Sequence, residues 1–288
     1  MSADAPTHDV ATWIGRTRRV TDDITAFPVN ALAATLGHAA AGATDGTPVP
    51  PLWHWLYFLP LLRPEQTRHD GHALGDDFMP PIALPRRVWA GSTFFWKAGN
   101  PLRVGERVTR LSRIESITPK PGRSGELVFV KVVHEFHNPR GVSLINEHLT
   151  AYRGAPKESS SGDADAGRAD TQAPWHRQLV PDAVLLFRFS ALMFNAHRIH
   201  YDQPYATEQE RYPALLVQGP LLAVLLLDLL QREAPRAALR SLEVKALRPA
   251  FVDRPLHLRG RPDGRSVHLW AADDEGRTTM SAKAELEP

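Results

Sequence analysis

The sequence predicts an α+β protein with two halves, each an antiparallel sheet wrapped around a long helix. Two runs of strand-like segments, rich in Val, Ile and Phe, flank the middle of the chain, and a helical segment precedes each run. Residues between the runs carry no hydrophobic pattern and indicate a flexible linker. The predicted boundaries are residues 1–153, a linker at 154–174 and residues 175–288. The repeat is inferred from the order of elements alone.

The first half begins with a short helix, predicted at residues 29–36, and a Pro-rich aromatic run at residues 48–60. Strands follow at residues 107–117, 127–136 and 142–152. Turn-forming residues separate them at 119–125 and 138–141. The aromatic run is expected to pack in the core, since aromatic side chains bury large areas. Its members are Trp53, His54, Trp55, Tyr57 and Phe58.

The second half begins with a segment, residues 183–190, that changes from polar to apolar. A long apolar helix is predicted at about 220–232. Three or four strands then follow, with candidate segments at residues 239–246, 255–261, 267–273 and 278–286. Turns at 261–264 and 273–276 contain the Asp and Gly residues that favour such bends. The element order of the first half is thus repeated.

Composition limits the classes of function. With 43% hydrophobic and 23% charged residues, the 288-residue chain is a globular protein with a sizeable core. It contains no Cys, which excludes disulfides, thiolate metal sites and cysteine nucleophiles. There are 28 Arg against 6 Lys. This bias suits the binding of anionic groups, but the base composition of a genome produces the same bias.

We expect a cytoplasmic protein without a membrane partner. The first twenty residues include Asp4, His8 and Asp9 and have no apolar core, so they do not resemble a secretory signal. The longest apolar run, residues 215–230, is interrupted by Gln218 and Asp228 and is too short to span a bilayer. It is interpreted as a buried helix.

The chemistry is predicted to reside in residues 187–200, which pass from an apolar run into the polar residues Asn195, His197 and His200. About twenty residues later, Gly219 and Pro220 open the long helix. A histidine moves protons near neutral pH, and the first N–H groups of a helix can stabilise a developing oxyanion. Together these groups indicate chemistry on a carbonyl compound.

This segment resembles the motif of the MaoC-type enoyl-CoA hydratases and hydroxyacyl-thioester dehydratases, roughly Gly-Asp-x-Asn-Pro-Ile-His. The spacing to the final His, here His200, is kept. The motif's Asp is replaced by Asn195, its Asn by His197 and its Pro by Arg198. The family's later His-Gly pair is found as Gln218-Gly219. The resemblance implies the hot-dog fold.

Nearly the whole chain resembles the two-domain branch of that family, which includes mesaconyl-C4-CoA and itaconyl-CoA hydratases. The resemblance is carried by Leu-Pro-Arg-Arg-Val-Trp-Ala-Gly at 84–91, Pro-Leu-Arg-Val-Gly-Glu-Arg-Val at 101–108 and Asn-Ala-His-Arg-Ile-His-Tyr-Asp at 195–202. It implies a double hot-dog with a non-catalytic first half and a catalytic second half. It also implies a hydro-lyase that adds water to an α,β-unsaturated acyl-CoA, most plainly a C5 dicarboxylic one that yields citramalyl-CoA.

The resemblance assigns roles to individual residues. His200 would be the general base, and the acid in reverse, while the backbone N–H of Gly219 would form the oxyanion hole. Asn195 cannot take a proton but can position a water. The reaction needs no metal or redox cofactor. The His197 and His200 pair lacks a clear third metal ligand.

Four further residues are expected to act in substrate binding: Arg198, His197, Gln218 and Asp202. His197 is expected to brace the loop, and Asp202 is a candidate substitute carboxylate. Arg198 or Arg188 would provide the cation that a dicarboxylic substrate requires. The Arg86-Arg87 pair and Arg16, Arg18 and Arg19 are basic groups that could meet CoA phosphates or lie on a solvated face.

Three alternatives remain open at the level of sequence. One is a straight-chain 3-hydroxyacyl-thioester dehydratase acting on CoA or a carrier protein. Another is a non-catalytic acyl-thioester-binding protein, since the motif Asp is lost. The third is a thioesterase, with Glu208 or Glu210 as the activating carboxylate. In each case the partner is an acyl thioester and not a nucleic acid. A double hot-dog is already a pseudo-dimer, but a homodimer is compatible with it.

Overall fold

The protein is described here from a computed structural model, which covers residues 10–38, 42–75, 77–84, 86–122, 125–154 and 170–288. The first-half strands are β1 (Thr17–Asp23), β2 (Arg86–Trp96), β3 (Arg107–Gly122), β4 (Gly125–Asn138) and β5 (Gly141–Arg153). The second-half strands are β6 (Trp175–Leu179), β7 (Leu239–Ala246), β8 (Leu256–Asp263), β9 (Ser266–Ala272) and β10 (Thr278–Leu286). The α-helices are α1 (Ala26–Thr35), α2 (Ala183–Leu192) and α3 (Gly219–Glu233).

The strands form a single antiparallel sheet in the order β1-β3-β4-β5-β2-β7-β10-β9-β8-β6. The first half supplies the first five strands and the second half the other five. Strands β2 and β7 join the halves, with Phe94 opposite Leu242. The prediction of two separate sheets is therefore corrected to one. Because β2 and β7 hydrogen-bond with each other, neither half leaves an open edge at the junction.

The junction brings first-half residues close to the second half. A β-carbon on Gly91 would lie 2.3 Å from the carbonyl oxygen of Val244, so only glycine permits this approach of the two strands. A bulge between Trp89 and Gly91 shifts the register of β2 against β5. Bulges re-aim the neighbouring side chains. Here the bulge lies beside Trp89, whose ring packs against the start of α3.

Helix α3 is the core of the second half. Its residues from Leu221 to Leu230 are all buried, and it packs against β6, β8, β9 and β10. A helix that is apolar on nearly every face is stable only when enclosed. Its buried Asp228 is partnered by His38 at 2.6 Å, Arg177 at 2.5 Å and Arg232 at 2.9 Å. Because His38 belongs to the first half, this cluster also connects the halves.

The first half differs from the second in what covers its sheet. In its described part the α-helix is the ten-residue α1, which packs against α2, so the predicted long helix is not found there. The aromatic run lies against the sheet instead, with ring centroids 4.9 Å apart for His54 and Phe136 and 5.6 Å apart for Trp55 and Phe94. The predicted packing role of this run is confirmed.

The other predicted elements are largely confirmed, with boundary shifts of a few residues. The long helix and the seven predicted strands are present, but β1, β2 and β6 were not predicted. Strands β3 and β4 extend into the predicted turn at 119–125, of which residues 123–124 lie outside the described residues. Most of the predicted linker, 155–169, also lies outside them. The described helices are all too short or too polar to cross a membrane.

Candidate active site

His200 ends a short 3₁₀ helix, Arg198–His200, that follows α2. Its ring is buried, and its Nδ1–H donates a hydrogen bond of 2.8 Å to the carbonyl of Leu216. Burial lowers the pKa of His200 to about 4, while the Leu216 carbonyl acts in the opposite direction and nearby His72 lowers the pKa further. The ring is therefore neutral near pH 7, with the lone pair on Nε2.

The loop before His200 is held by Asn195. Its Oδ1 accepts a hydrogen bond of 3.1 Å from the backbone N–H of His197, and its own N–H donates to the carbonyl of Ser190 at 2.8 Å. Phe194, directly before it, has a φ of 47°, an uncommon conformation for a large side chain. Such strain is typical of functional loops. The Asn195 amide nitrogen donates no hydrogen bond within the described residues.

His197 lies between two other histidine rings. Its ring centroid is 3.8 Å from that of His72 and 5.4 Å from that of His200. Burial, together with these two rings, lowers the pKa of His197 to about 3. Among the described residues no group of three or more His, Asp or Glu side chains is arranged to hold a metal ion. His197 therefore packs between the rings of His72 and His200, and its bracing of the loop stays a prediction.

A first-half loop packs directly on this segment. The backbone N–H of Arg198 donates to the carbonyl of Asp70 at 2.9 Å. A β-carbon on Gly71, where φ is +91°, would lie 1.7 Å from the carbonyl oxygen of Ala196. His72, which follows, stacks on His197. The candidate site is therefore built from both halves, and sequence reasoning missed the first-half contribution.

Arg198 and Asp202 form an ion pair with each other. The Arg198 Nε and one terminal nitrogen donate to Asp202 Oδ2 at 2.9 and 2.7 Å. The guanidinium also lies 4.2 Å from the centre of the Tyr205 ring. Hydrogen bonding from Arg198, then from the Tyr205 N–H, lowers the pKa of Asp202. This geometry does not favour Asp202 as a base or Arg198 as a carboxylate receptor.

The N-terminus of α3 is the second part of the site. Gly219 is its first residue, and the first N–H groups of a helix have no partner within the helix. A β-carbon on Gly219 would lie 2.9 Å from the ring of Trp89, so the position admits only glycine without rearrangement. The Gln218 amide donates to the Leu186 carbonyl at 2.9 Å and to Ser190 Oγ at 2.8 Å. Gln218 therefore connects α2 to α3.

Comparison with known proteins decides the family. Residues 52–252 match the model of the hydroxyacyl-thioester dehydratase type 2 family. The chain belongs to this family. A mesaconyl-C4-CoA hydratase from Chloroflexus aurantiacus is 42% identical over 284 residues, which cover 96% of this chain and 98% of that protein. A mitochondrial hydroxyacyl-thioester dehydratase type 2 from Schizosaccharomyces pombe is 27% identical over 267 residues, 82% of this chain and 87% of that one.

The fold agrees with solved structures of such dehydratases. A MaoC-like dehydratase from Phytophthora capsici superposes with a TM-score of 0.71 over 97% of this chain and 98% of that one, at 12% identity. At this identity the similarity establishes the hot-dog architecture alone. Family membership makes the protein an enzyme of the hydro-lyase class. The resemblance inferred from the motifs is confirmed.

The sequence suggested Arg188 or Arg198 as the cation near a dicarboxylic acyl group. Arg188 is exposed on α2, and Arg198 is bound to Asp202. The residues that sequence reasoning missed are His72, Gly71 and Trp89, all from the first half. Trp89 lies in the Leu-Pro-Arg-Arg-Val-Trp-Ala-Gly segment, one of those that carried the family resemblance. Membership of this segment was the only sequence signal for Trp89.

Proposed function

We propose that this enzyme adds water to the double bond of a branched C5 dicarboxylic enoyl-CoA, mesaconyl-C4-CoA or itaconyl-CoA, to give citramalyl-CoA. One observation carries the reaction: the neutral ring of His200 is held by the carbonyl of Leu216, which lies in the segment that leads to the N-terminus of α3. The substrate class is supported by the 42% identity to a mesaconyl-C4-CoA hydratase over almost the whole chain.

In the proposed reaction with mesaconyl-C4-CoA, His200 Nε2 removes a proton from a water as the water oxygen bonds to the β-carbon. The electron pair of the double bond moves onto the thioester, whose oxygen is stabilised by the N–H of Gly219 and the helix dipole. The proton held by His200 then passes to the α-carbon, which completes the addition of water. Negative charge on the thioester raises the pKa of the nearby ring, so the buried histidine becomes a stronger base as the reaction proceeds.

Asn195 is proposed to position the attacking water. Its oxygen is used within the loop, accepting from the His197 N–H, which leaves the amide nitrogen to donate to the water. The family's usual Asp would take part in proton transfer, whereas in this chain His200 performs that step alone. The mechanism uses no metal or redox cofactor, because addition of water to an activated double bond requires neither. A homodimer and a non-catalytic first half remain predictions.

The thioesterase alternative is less favoured by the geometry. Glu210 accepts a hydrogen bond of 3.1 Å from the Tyr205 hydroxyl, within the turn that follows the His200 loop. A thioesterase would place such a carboxylate beside the water at the start of α3. The carboxylates that sequence analysis considered for this role are Glu208 and Glu210.

The test is turnover of mesaconyl-C4-CoA, itaconyl-CoA and crotonyl-CoA, with the product identified by mass. We expect gain of one water by the dicarboxylic substrates and little turnover of crotonyl-CoA. Turnover of crotonyl-CoA alone would move the assignment to a straight-chain 3-hydroxyacyl-thioester dehydratase. Folded protein that hydrates none of the three would indicate an acyl-thioester-binding protein, and release of free CoA would indicate a thioesterase.

A further inference from the structure

A cavity lies between the two halves, at the far end of α3 from the candidate active site. Its volume is about 330 Å³, within the range of roughly 300–1,000 Å³ for small-molecule sites. The first half supplies residues 48–51 to its wall, and the second half supplies Gln231 and Leu239. Because Gly219 begins α3 and Gln231 lies in its last turn, the cavity and the proposed oxyanion hole are at opposite ends of this helix.

The backbone beside this cavity repeats the backbone that leads into α3. In each half, the segment before a helical turn forms two hydrogen bonds with the segment that follows the junction strand, β2 or β7. The pairs, with the N–H donor first, are Val217 with Ala250 and Val252 with Leu215 in the second half, and Val49 with Leu102 and Val104 with Thr47 in the first half. Residues 48–51 therefore occupy in the first half the place that residues 216–219 occupy in the second.

The junction strands follow the same two-fold relation. Thr93 of β2 pairs with Glu243 of β7 at the centre of their antiparallel pairing. Trp89 lies as far before Thr93 as Leu239 lies before Glu243. Trp89 packs against Gly219, and Leu239 lines the cavity. The cavity is thus the counterpart of the candidate active site under the relation that exchanges the two halves.

The counterpart of Gly219 is a proline. Gly219 lies two residues after Val217, and Pro51 lies two residues after Val49. Proline has no backbone N–H, so this position cannot donate a hydrogen bond to a developing oxyanion. The helical turn that follows it is the short 3₁₀ helix Trp53–Leu56 and not a long α-helix. The cavity therefore has the placement of the active site without the N–H that would form its oxyanion hole.

Two polar side chains in the cavity wall have no hydrogen-bond partner within the described residues. They are His54, through Nε2, and Ser143, through Oγ, and the two residues are only 3% and 1% exposed. Proteins pair nearly all of their buried polar groups, because leaving one unpaired is costly. Burial, followed by the charge of Arg110, lowers the pKa of His54 to about 3, so its ring is neutral at pH 7. Both groups can therefore bond to an uncharged ligand.

The remaining walls indicate the chemistry of such a ligand. The deep part of the cavity is apolar, lined by the buried side chains of Val49, Leu102 and Leu144. Lys97 and Glu287 lie in its more exposed part and carry opposite charges, so this part favours neither net charge. An uncharged chain with carbonyl groups suits these walls, because its apolar parts pack against them and its oxygens accept hydrogen bonds. An acyl group on a pantetheine arm is a chain of this kind.

We propose that this cavity is a second acyl-thioester site, which binds the acyl group and pantetheine arm without reacting with them. Carbonyl groups of the arm accept hydrogen bonds from the Ser143 hydroxyl and from His54 in its Nε2–H tautomer. The helix-start N–H that the reaction requires is missing at Pro51. The inference rests on the thioester chemistry of the family and not on the C5 substrate of the proposed function.

The test counts bound ligand by equilibrium dialysis with butyryl-CoA, a saturated thioester that cannot be hydrated. In Ala98→Trp, an indole is added at an exposed residue of the cavity rim. We expect the wild type to bind one more molecule per chain than Ala98→Trp does. The matched control is Ala34→Trp, at an exposed position of α1 outside the cavity wall, which should bind as many as the wild type. Butyryl-pantetheine should give the same difference, since it keeps the arm and lacks the nucleotide.

Equal counts for the wild type and Ala98→Trp would overturn the proposal, as would loss of the extra molecule in Ala34→Trp. A difference seen with butyryl-CoA but not with butyryl-pantetheine would show that the nucleotide, and not the arm, is bound. Melting temperatures show whether each variant folds. The difference in counts does not depend on the affinity of the candidate active site for butyryl-CoA, so failure of the proposed function would leave it unchanged.

Ser143→Ala tests the polar part of the wall. Removing a buried hydroxyl that has no partner should raise the melting temperature of the free protein. The same change should weaken binding of the extra butyryl-pantetheine molecule about fivefold, the loss expected for one neutral hydrogen bond. A hydroxyl with a purely structural role would instead lower the melting temperature when removed and leave this affinity unchanged, and that result would contradict the proposal.

Discussion

His200 and Leu216 are joined by a hydrogen bond of 2.8 Å between the ring Nδ1 and the backbone carbonyl. Because a carbonyl only accepts, this contact fixes the proton on Nδ1 and the lone pair on Nε2. Leu216 lies three residues before Gly219, in the segment that leads into α3. The same backbone segment therefore orients the base and positions the N–H groups of the helix start.

Replacing His200 should remove proton transfer while leaving the fold intact. We expect His200→Gln to lower kcat by about 10³-fold, within the range typical of a general base. The measurement is initial rates with mesaconyl-C4-CoA, alongside the melting temperature. The matched control is His257→Gln on β8, which should retain the wild-type rate. A His200→Gln enzyme within a few-fold of wild type would exclude His200 as the base.

Gly71→Ala tests the contact between the halves. The added methyl group would lie 1.7 Å from the carbonyl oxygen of Ala196, and φ at this position is +91°. The variant must displace either loop, so we expect kcat to fall and the free energy of unfolding to drop by at least about 1 kcal/mol. The control is Gly75→Ala, where no atom lies within 4 Å of the new methyl group. Equal kinetics in the two variants would show that this contact does not position the catalytic loop.

Asp202→Asn tests whether a second carboxylate takes part in proton transfer. Two nitrogens of Arg198 donate to the Asp202 carboxylate, which is therefore already engaged in an ion pair. We expect kcat to stay within about tenfold of wild type, because the amide keeps the shape and still accepts from the Tyr205 N–H at this position. If kcat instead falls as far as in His200→Gln, Asp202 is the carboxylate that replaces the family's Asp.

Much of the fold followed from local patterns. Strand-like segments separated by turn residues located β7 to β10, and the apolar run at 215–230 located α3, because these signals depend on neighbours in sequence. The merging of the sheets could not be predicted in this way. It depends on the pairing of β2 with β7, two edges far apart in sequence, and no strand pattern specifies which edge meets which.

The site was likewise predictable only where its residues are close together in the sequence. Asn195, His197 and His200 lie in one motif, whereas Gly71 and Trp89 meet it through tertiary contacts. The spacing of Arg198 and Asp202 is that of an ion pair on a helical turn, a signal that sequence reasoning did not use.

The buried histidines predict how stability depends on pH. Burial is the main cause of the low pKa of each, about 3 for His54 and His197 and about 4 for His148 and His200. In the unfolded chain a histidine has a pKa near 6.5. Between these values the unfolded chain binds protons that the folded protein does not. The free energy of unfolding is therefore highest above about pH 6.5 and falls as the pH decreases toward 4.

We expect unfolding at pH 5 to take up at least about two protons per molecule, measured as the slope of the unfolding free energy from urea titrations between pH 7.5 and 4.5. Carboxylates with lowered pKa, such as Asp70 and Asp202, act in the same direction but at lower pH, below about 4, so they do not account for a slope at pH 5 to 6. His54→Asn should reduce the slope by about one proton. A flat profile from pH 7 to 5 would mean that these rings are protonated in the folded protein, and the neutral state of His200 on which the proposed base depends would be lost with it.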